Sequence, residues 1–159
     1  MSASTNDDLS ALRGRIAERH HFAGWVLLLA FVSLGAVLES LHGFKVGFYL
    51  DVSHQVRREM WTLAHAHGTL LAICQILFAL GLQRFGRWSA GSLRLTSFFL
   101  LDAAVLMPLG FFLGGIGHAE GDPSLGIVLV PIGAVVLLVA VVLIARSAWR
   151  GAVPPPPAS

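Results

Sequence analysis

The sequence predicts an all-α integral membrane protein, a four-helix bundle with both termini in the cytoplasm, and three observations carry that prediction. The chain has 159 residues, 55% of them hydrophobic and 13% charged, with a mean hydropathy of +0.74. An average soluble domain carries about 25% charged residues, so composition alone excludes an ordinary soluble fold. Four apolar runs, 22–41, 61–82, 95–116 and 125–145, each approach the ~20 residues that a helix needs to cross hydrocarbon. The cationic residues are lopsided: Arg13, Arg15, Arg19, Arg84, Arg87, Arg94, Arg146 and Arg150 flank one side of these runs, and Lys45, Arg57 and Arg58 the other. The positive-inside rule assigns the first side to the cytoplasm. Residues 1–159 are therefore expected to form one multi-pass domain in the cell inner membrane, with the lipid bilayer as its surroundings. The formal net charge of +2 gives no reason to expect nucleic acid as a partner.

Each element can be justified in turn. Met1 to about Ala11 is rich in Ser, Thr, Asn and Asp and is expected to be disordered. The first span follows the charged stretch LRGRIAERHH and carries Glu39 and His42 near its far end, where a cleavable signal would show small residues. It is read as a retained helix. The connection Gly43 to Met60 mixes Phe44, Val46, Phe48, Tyr49 and Leu50 with Lys45, Asp51 and His54, a composition suited to a segment lying in the interface as a roof over the outer face. The second span opens with MWTLAHAHGTLLA, the third contains Asp102, and the loops QRFGRWSAGS and GHAEGDPS between spans are broken by glycine and proline. The fourth span, GIVLVPIGAVVLLVAVVLIA, is apolar all round, which suits lipid or another subunit, and Pro131 and Gly133 mark a bend. The tail GAVPPPPAS cannot continue a helix and is expected to be disordered. A single cysteine, Cys74, rules out an intramolecular disulfide and any multi-cysteine metal site. Trp25, Trp61, Trp88 and Trp149 read as interfacial belt residues.

Ionisable groups within spans are costly and mark sites or proton paths. Here Glu39, His42, His65, His67, His118, Glu120 and Asp122 all fall in one outer layer, whereas Asp102 lies two turns into the third span from the opposite side. Glu39 and His42, at i and i+3, share a helix face, a spacing that serves either a histidine–carboxylate pair or one half of a di-metal motif. His65 and His67 point about 200° apart on a helix and cannot both serve one centre. Gly68, one turn after His65, leaves room for a flat ligand beside the backbone, though a glycine followed by small residues is equally a packing face. His20 and His21, beside Arg19, read as interfacial. Asp102 reads as a hydrogen-bond anchor between helices or a proton-handling group.

The order of these features resembles the small four-helix membrane isomerases typified by styrene oxide isomerase, and more distantly hydroxylaminobenzene mutase. HHFAGWVLLLAFVSLGAVLESLHGF stands for the family's first helix, MWTLAHAHGTLLA for its second, RLTSFFLLDAAVLMPLGFFLGG for its third and GDPSLGIVLVPIGAVVLL for its fourth, over about Arg19 to Trp149. The resemblance implies a homo-oligomer, a trimer by analogy, that binds haem b near the subunit interface. His65 would be the axial ligand of the iron, with Gly68 beside it, and a small hydrophobic epoxide or related oxygenated compound would be the substrate. The iron would act as a Lewis acid, giving a carbonyl product without net redox change. Glu39, His42 or Asp102 would handle a proton or position the substrate oxygen. Two departures stand out. The family places an amide about six residues after the ligand histidine, where this chain has Leu71, and a phenol on the third helix, where it has Gly110, Phe111 or Phe112. Two other readings remain open: a bis-histidine cytochrome with His42 or His118 as second ligand, and a zinc or copper site built from Glu39, His42, His65 and His118.

Overall fold

Apolar residues recur at helical spacing from Leu9 onward, and the first helix, α1, runs without a break over Ser2–Gly43. Its 42 residues are about 63 Å long at 1.5 Å per residue, roughly twice the hydrocarbon thickness. A four-residue helix α2 (Gly47–Leu50) and a single 3-10 turn (Val52–His54) lead into α3 (Gln55–Arg84). α4 (Ala90–Gly114) follows, and a second 3-10 turn (Leu125–Val128) opens α5 (Leu129–Ala152). The computed structural model describes residues 2–117 and 121–152, with side chains from residue 6 onward. His118, Glu120 and the tail beyond Ala152 lie outside the described residues, so the expectations placed on them stay as they were. Among the described residues there is no strand, and four helices are long and apolar enough to cross a membrane. The chain is a multi-pass membrane protein.

The main packing is α1 against α3, α3 against α4, and α4 against α5. The core at the arginine-rich end joins Leu12, Ile16 and Ala17 of α1, Phe78, Ala79 and Leu82 of α3, Leu93 and Leu100 of α4 and Ala140 of α5. Residues 2–11, expected from the sequence to be disordered, continue α1 as helix, and of that segment Leu9 packs against this cluster. Leu9, Leu12 and Ile16 form a stripe three and four residues apart, and burying it against α3 and α4 extends the helix across the polar segment. α4 and α5 approach closely at Gly133, where an added Cβ would overlap Met107. That small residue lets the two backbones meet.

The connections are tied down by their own hydrogen bonds. α1 ends with Lys45 in the left-handed region, φ 54°. The Lys45 amide donates to the His42 carbonyl at 3.1 Å and the Val46 amide to the Leu41 carbonyl at 3.0 Å, the paired bonds of a Schellman cap. The cap turns the chain back over the end of the helix and delivers α2, whose Tyr49 is buried. The expected roof segment is thus a short helix and a turn, and α3 starts six residues before Trp61. At the other end, the loop before α4 is held to α5: the Arg87 amide donates to the Ser147 carbonyl and the Ser147 hydroxyl to the Arg87 carbonyl, both at 3.1 Å. Arg13 of α1 donates to the Gly86 carbonyl at 3.3 Å. Ser89 caps α4 by accepting from the Ser92 amide at 3.2 Å.

Candidate functional site

A cleft of about 820 Å³ opens between α1 and α3 under the α2 roof, lined by Gly35, Glu39, His42, Tyr49, Arg58, Glu59, Thr62 and His65 among others. Three of the residues singled out by sequence, Glu39, His42 and His65, line this one cleft without converging on a point. His65 is the best-defined of them. Its Nδ1 lies 2.7 Å from the Phe31 carbonyl oxygen. A carbonyl can only accept, so Nδ1 is the donor, and in the neutral ring that leaves the lone pair on Nε2. The ring lies against Gly35, where a Cβ would overlap it. Glycine at 35 leaves the space that the edge of this imidazole occupies between α1 and α3.

His67 behaves as its 200° separation requires. It turns to the other side of α3, packs against Phe111 of α4 with ring centroids 4.8 Å apart and planes tilted by 33°, and donates from Nδ1 to the Leu63 carbonyl at 2.9 Å. It does not reach the cleft. Glu39 and His42 share a face as expected but are both exposed on the flank of α1, and no hydrogen bond joins them. They line the cleft without forming a closed pair.

Two assignments change. The room expected beside Gly68 is filled from within the chain, because the Phe31 ring packs where a Gly68 Cβ would stand. Gly68 is a packing residue between α3 and α1. Asp102 does not join the cleft. It sits on an outward stripe of α4 with Leu95, Phe98, Val105 and Leu109, all four exposed, and α4 touches α1 only lightly. Among the described residues, no group of three His, Cys, Asp or Glu side chains gathers around a common point. The zinc or copper set loses its geometry there, with His118 outside the described residues.

Other polar groups join the site that the sequence had not assigned to it. Tyr49 brings a buried phenol to the cleft. Its ring stacks on Trp61 at 6.4 Å, and Trp61 in turn stacks on Phe112 at 5.3 Å and donates from Nε1 to the Phe112 carbonyl at 3.1 Å. Trp61 is thus an internal aromatic post rather than a belt residue. Arg58 lines the cleft while donating to the Leu50 carbonyl at 3.1 Å, and Thr62 donates back to the Arg58 carbonyl at 2.8 Å. Arg57 lies 4.0 Å above the Phe48 ring and closes the roof from outside.

A second polar assembly lies deeper, toward the arginine-rich end. His20, read from sequence as interfacial, is fully buried together with Gln75 and Ser97. The bonds run in one direction. Arg19 donates to the Ser97 hydroxyl, which donates to His20 Nε2 at 2.7 Å; His20 Nδ1 donates to the Gln75 side-chain oxygen, and the Gln75 amide donates to the Leu100 carbonyl at 2.7 Å. Every buried donor and acceptor in the chain of bonds is used, so it joins α1, α3 and α4 without an orphan. The signal for it lay in Leu12, Ile16, His20 and Gly24, which recur every fourth residue on one face and are all buried. No family model, curated protein or solved structure matches this chain.

Proposed function

We propose that the chain is a haem b protein of the inner membrane, a four-helix bundle with cytoplasmic termini that assembles as a homo-oligomer, a trimer by analogy, and isomerises a small apolar epoxide or related oxygenated compound. The observation that carries the reading is the state of His65. Its Nδ1–H is committed to the Phe31 carbonyl at 2.7 Å, which leaves Nε2 of the neutral ring as the atom that could ligate a metal, and His65 lines one cleft with Glu39 and His42. Ligating histidines characteristically give their other N–H to a carbonyl or carboxylate, which fixes the tautomer and raises ligand basicity.

Of the residues present, His65 is the one whose chemistry fits the group, and the space for it lies on the cleft side, since Phe31 fills the place beside Gly68. His65 would hold the iron, and bound haem would supply Lewis acidity toward a substrate oxygen. The chain's own groups do the rest. Phe31 and Gly35 fix the imidazole in place. Glu39 and His42 offer a carboxylate and an imidazole to take a proton from the substrate carbon and return one. Tyr49 and Arg58 supply donors at the roof to orient the oxygen, in place of the amide and phenol that the resemblance led one to expect at Leu71 and on α4.

The test is anaerobic turnover. Purified haem-loaded protein should isomerise members of a panel of aryl and alkyl epoxides without added reductant. Glu39→Gln should lower the rate at least about tenfold, roughly 1.4 kcal/mol of barrier, with an unchanged Soret band. One observation favours a second reading: His42 lines the same cleft as His65. Two axial imidazoles would make a cytochrome for electron transfer or sensing. A six-coordinate spectrum that excludes added ligands, with no turnover across the panel, would select it.

A further inference from the structure

Near the arginine-rich end a separate cleft of about 520 Å³ is lined by Leu12, Arg15, Ile16 and Arg19 of α1 and by Arg94 and Phe98 of α4. We infer that this cleft is a binding site for an anionic phospholipid, with the arginines on the headgroup phosphate and the apolar floor along the upper acyl chain. Three guanidinium groups from two helices converge on one cleft that has no carboxylate in its lining. Arg15 and Arg94 form no ion pair among the described residues. An uncompensated cluster of this kind is complementary to a phosphate, which guanidinium recognises through paired N–H groups.

Depth identifies the source of the phosphate. The apolar run of α1 begins at Phe22 and that of α4 at Leu95, so the three arginines lie within about 10 Å of the hydrocarbon edge along their helices. That is headgroup level, where basic pockets between spans collect anionic lipids. The remainder of the lining is Leu12, Ile16 and Phe98, with Phe98 57% exposed beside Arg94. A free anion would have no use for that apolar surface. The inference is independent of whether haem binds at the far end.

Arg19 also donates to Ser97 in the buried chain of bonds, so Arg15 and Arg94 are the residues to change. The full-length protein, stripped of lipid in a non-ionic detergent, is titrated with dioctanoyl phosphatidylglycerol, with dioctanoyl phosphatidylcholine and with inorganic phosphate. Phosphatidylglycerol should bind at one site and clearly more tightly than phosphatidylcholine, with no displacement by inorganic phosphate at equal concentration. Arg15→Gln and Arg94→Gln should each weaken it about fivefold and the double variant about thirtyfold, at unchanged thermal stability without lipid. Equal binding of the two lipids, or an unaffected double variant, would overturn the inference, and competition by inorganic phosphate would overturn the lipid assignment. If a variant fails to fold, salt decides. Raising sodium chloride from about 50 mM to about 500 mM should weaken phosphatidylglycerol alone, and insensitivity to salt would again overturn it.

Discussion

At the scale of single residues, the site depends on how one imidazole is held. His65 needs both the Phe31 carbonyl and the space at Gly35. Gly35→Ala should push the ring off its carbonyl and weaken haem binding by 10- to 100-fold, on the order of what lost outer-shell partners cost, measured by titrating haem into apoprotein. His67→Ala, on the opposite side of α3, should leave that affinity unchanged. The buried chain of bonds makes a separate prediction. Gln75→Leu leaves the His20 Nδ1–H without an acceptor in a fully buried place, and should cost about 1–3 kcal/mol in reversible unfolding. The sequence made the divergence of His65 and His67 legible, because it follows from 100° per residue alone. It did not make Gly35 legible, since its partnership with His65 depends on the register between α1 and α3. His20 was misread because its neighbours Arg19 and His21 are exposed, and only its place among Leu12, Ile16 and Gly24 gives it away.

At the scale of elements, hydropathy was enough to locate four spans, because helices in a bilayer must satisfy their own backbone. It was not enough to set their ends. α1 begins at Ser2 although its first turns are polar, since Leu12 and Ile16 anchor them to Phe78, Leu82 and Leu93. Leu12→Ala should therefore cost about 2–5 kcal/mol, the range for truncating a buried leucine, and should open the Arg13 and Arg15 bonds to trypsin. A wild-type rate of cleavage there would mean that the extension is not docked. The roof over the cleft was legible as an interfacial composition but not as a helix. Its position comes from the cap at Lys45, and a lysine in the left-handed region carries no sequence signature.

At the scale of the whole molecule, the even number of spans brings α1's start, the loop before α4 and the end of α5 to one end, where Arg13, Gly86, Arg87 and Ser147 meet. With eight of the eleven cationic residues on that side, a reporter fused after Ser159 should be cytoplasmic and a tag between Gly121 and Ser124 external. Reversed accessibility would turn the His65 cleft to the other compartment. Glu39 and His42 line the cleft from the exposed flank of α1. Composition located the four spans; it did not reveal that Asp102 lies apart from the site, because depth along a helix says nothing about which neighbour it faces. The most direct measurement is the optical spectrum of the purified protein, taken on the wild type, His65→Ala and His67→Ala in parallel. A Soret band in the wild type and His67→Ala, absent in His65→Ala, is the predicted result; no Soret band in the wild type, or an equal band in all three, would contradict the assignment of His65 as the haem ligand.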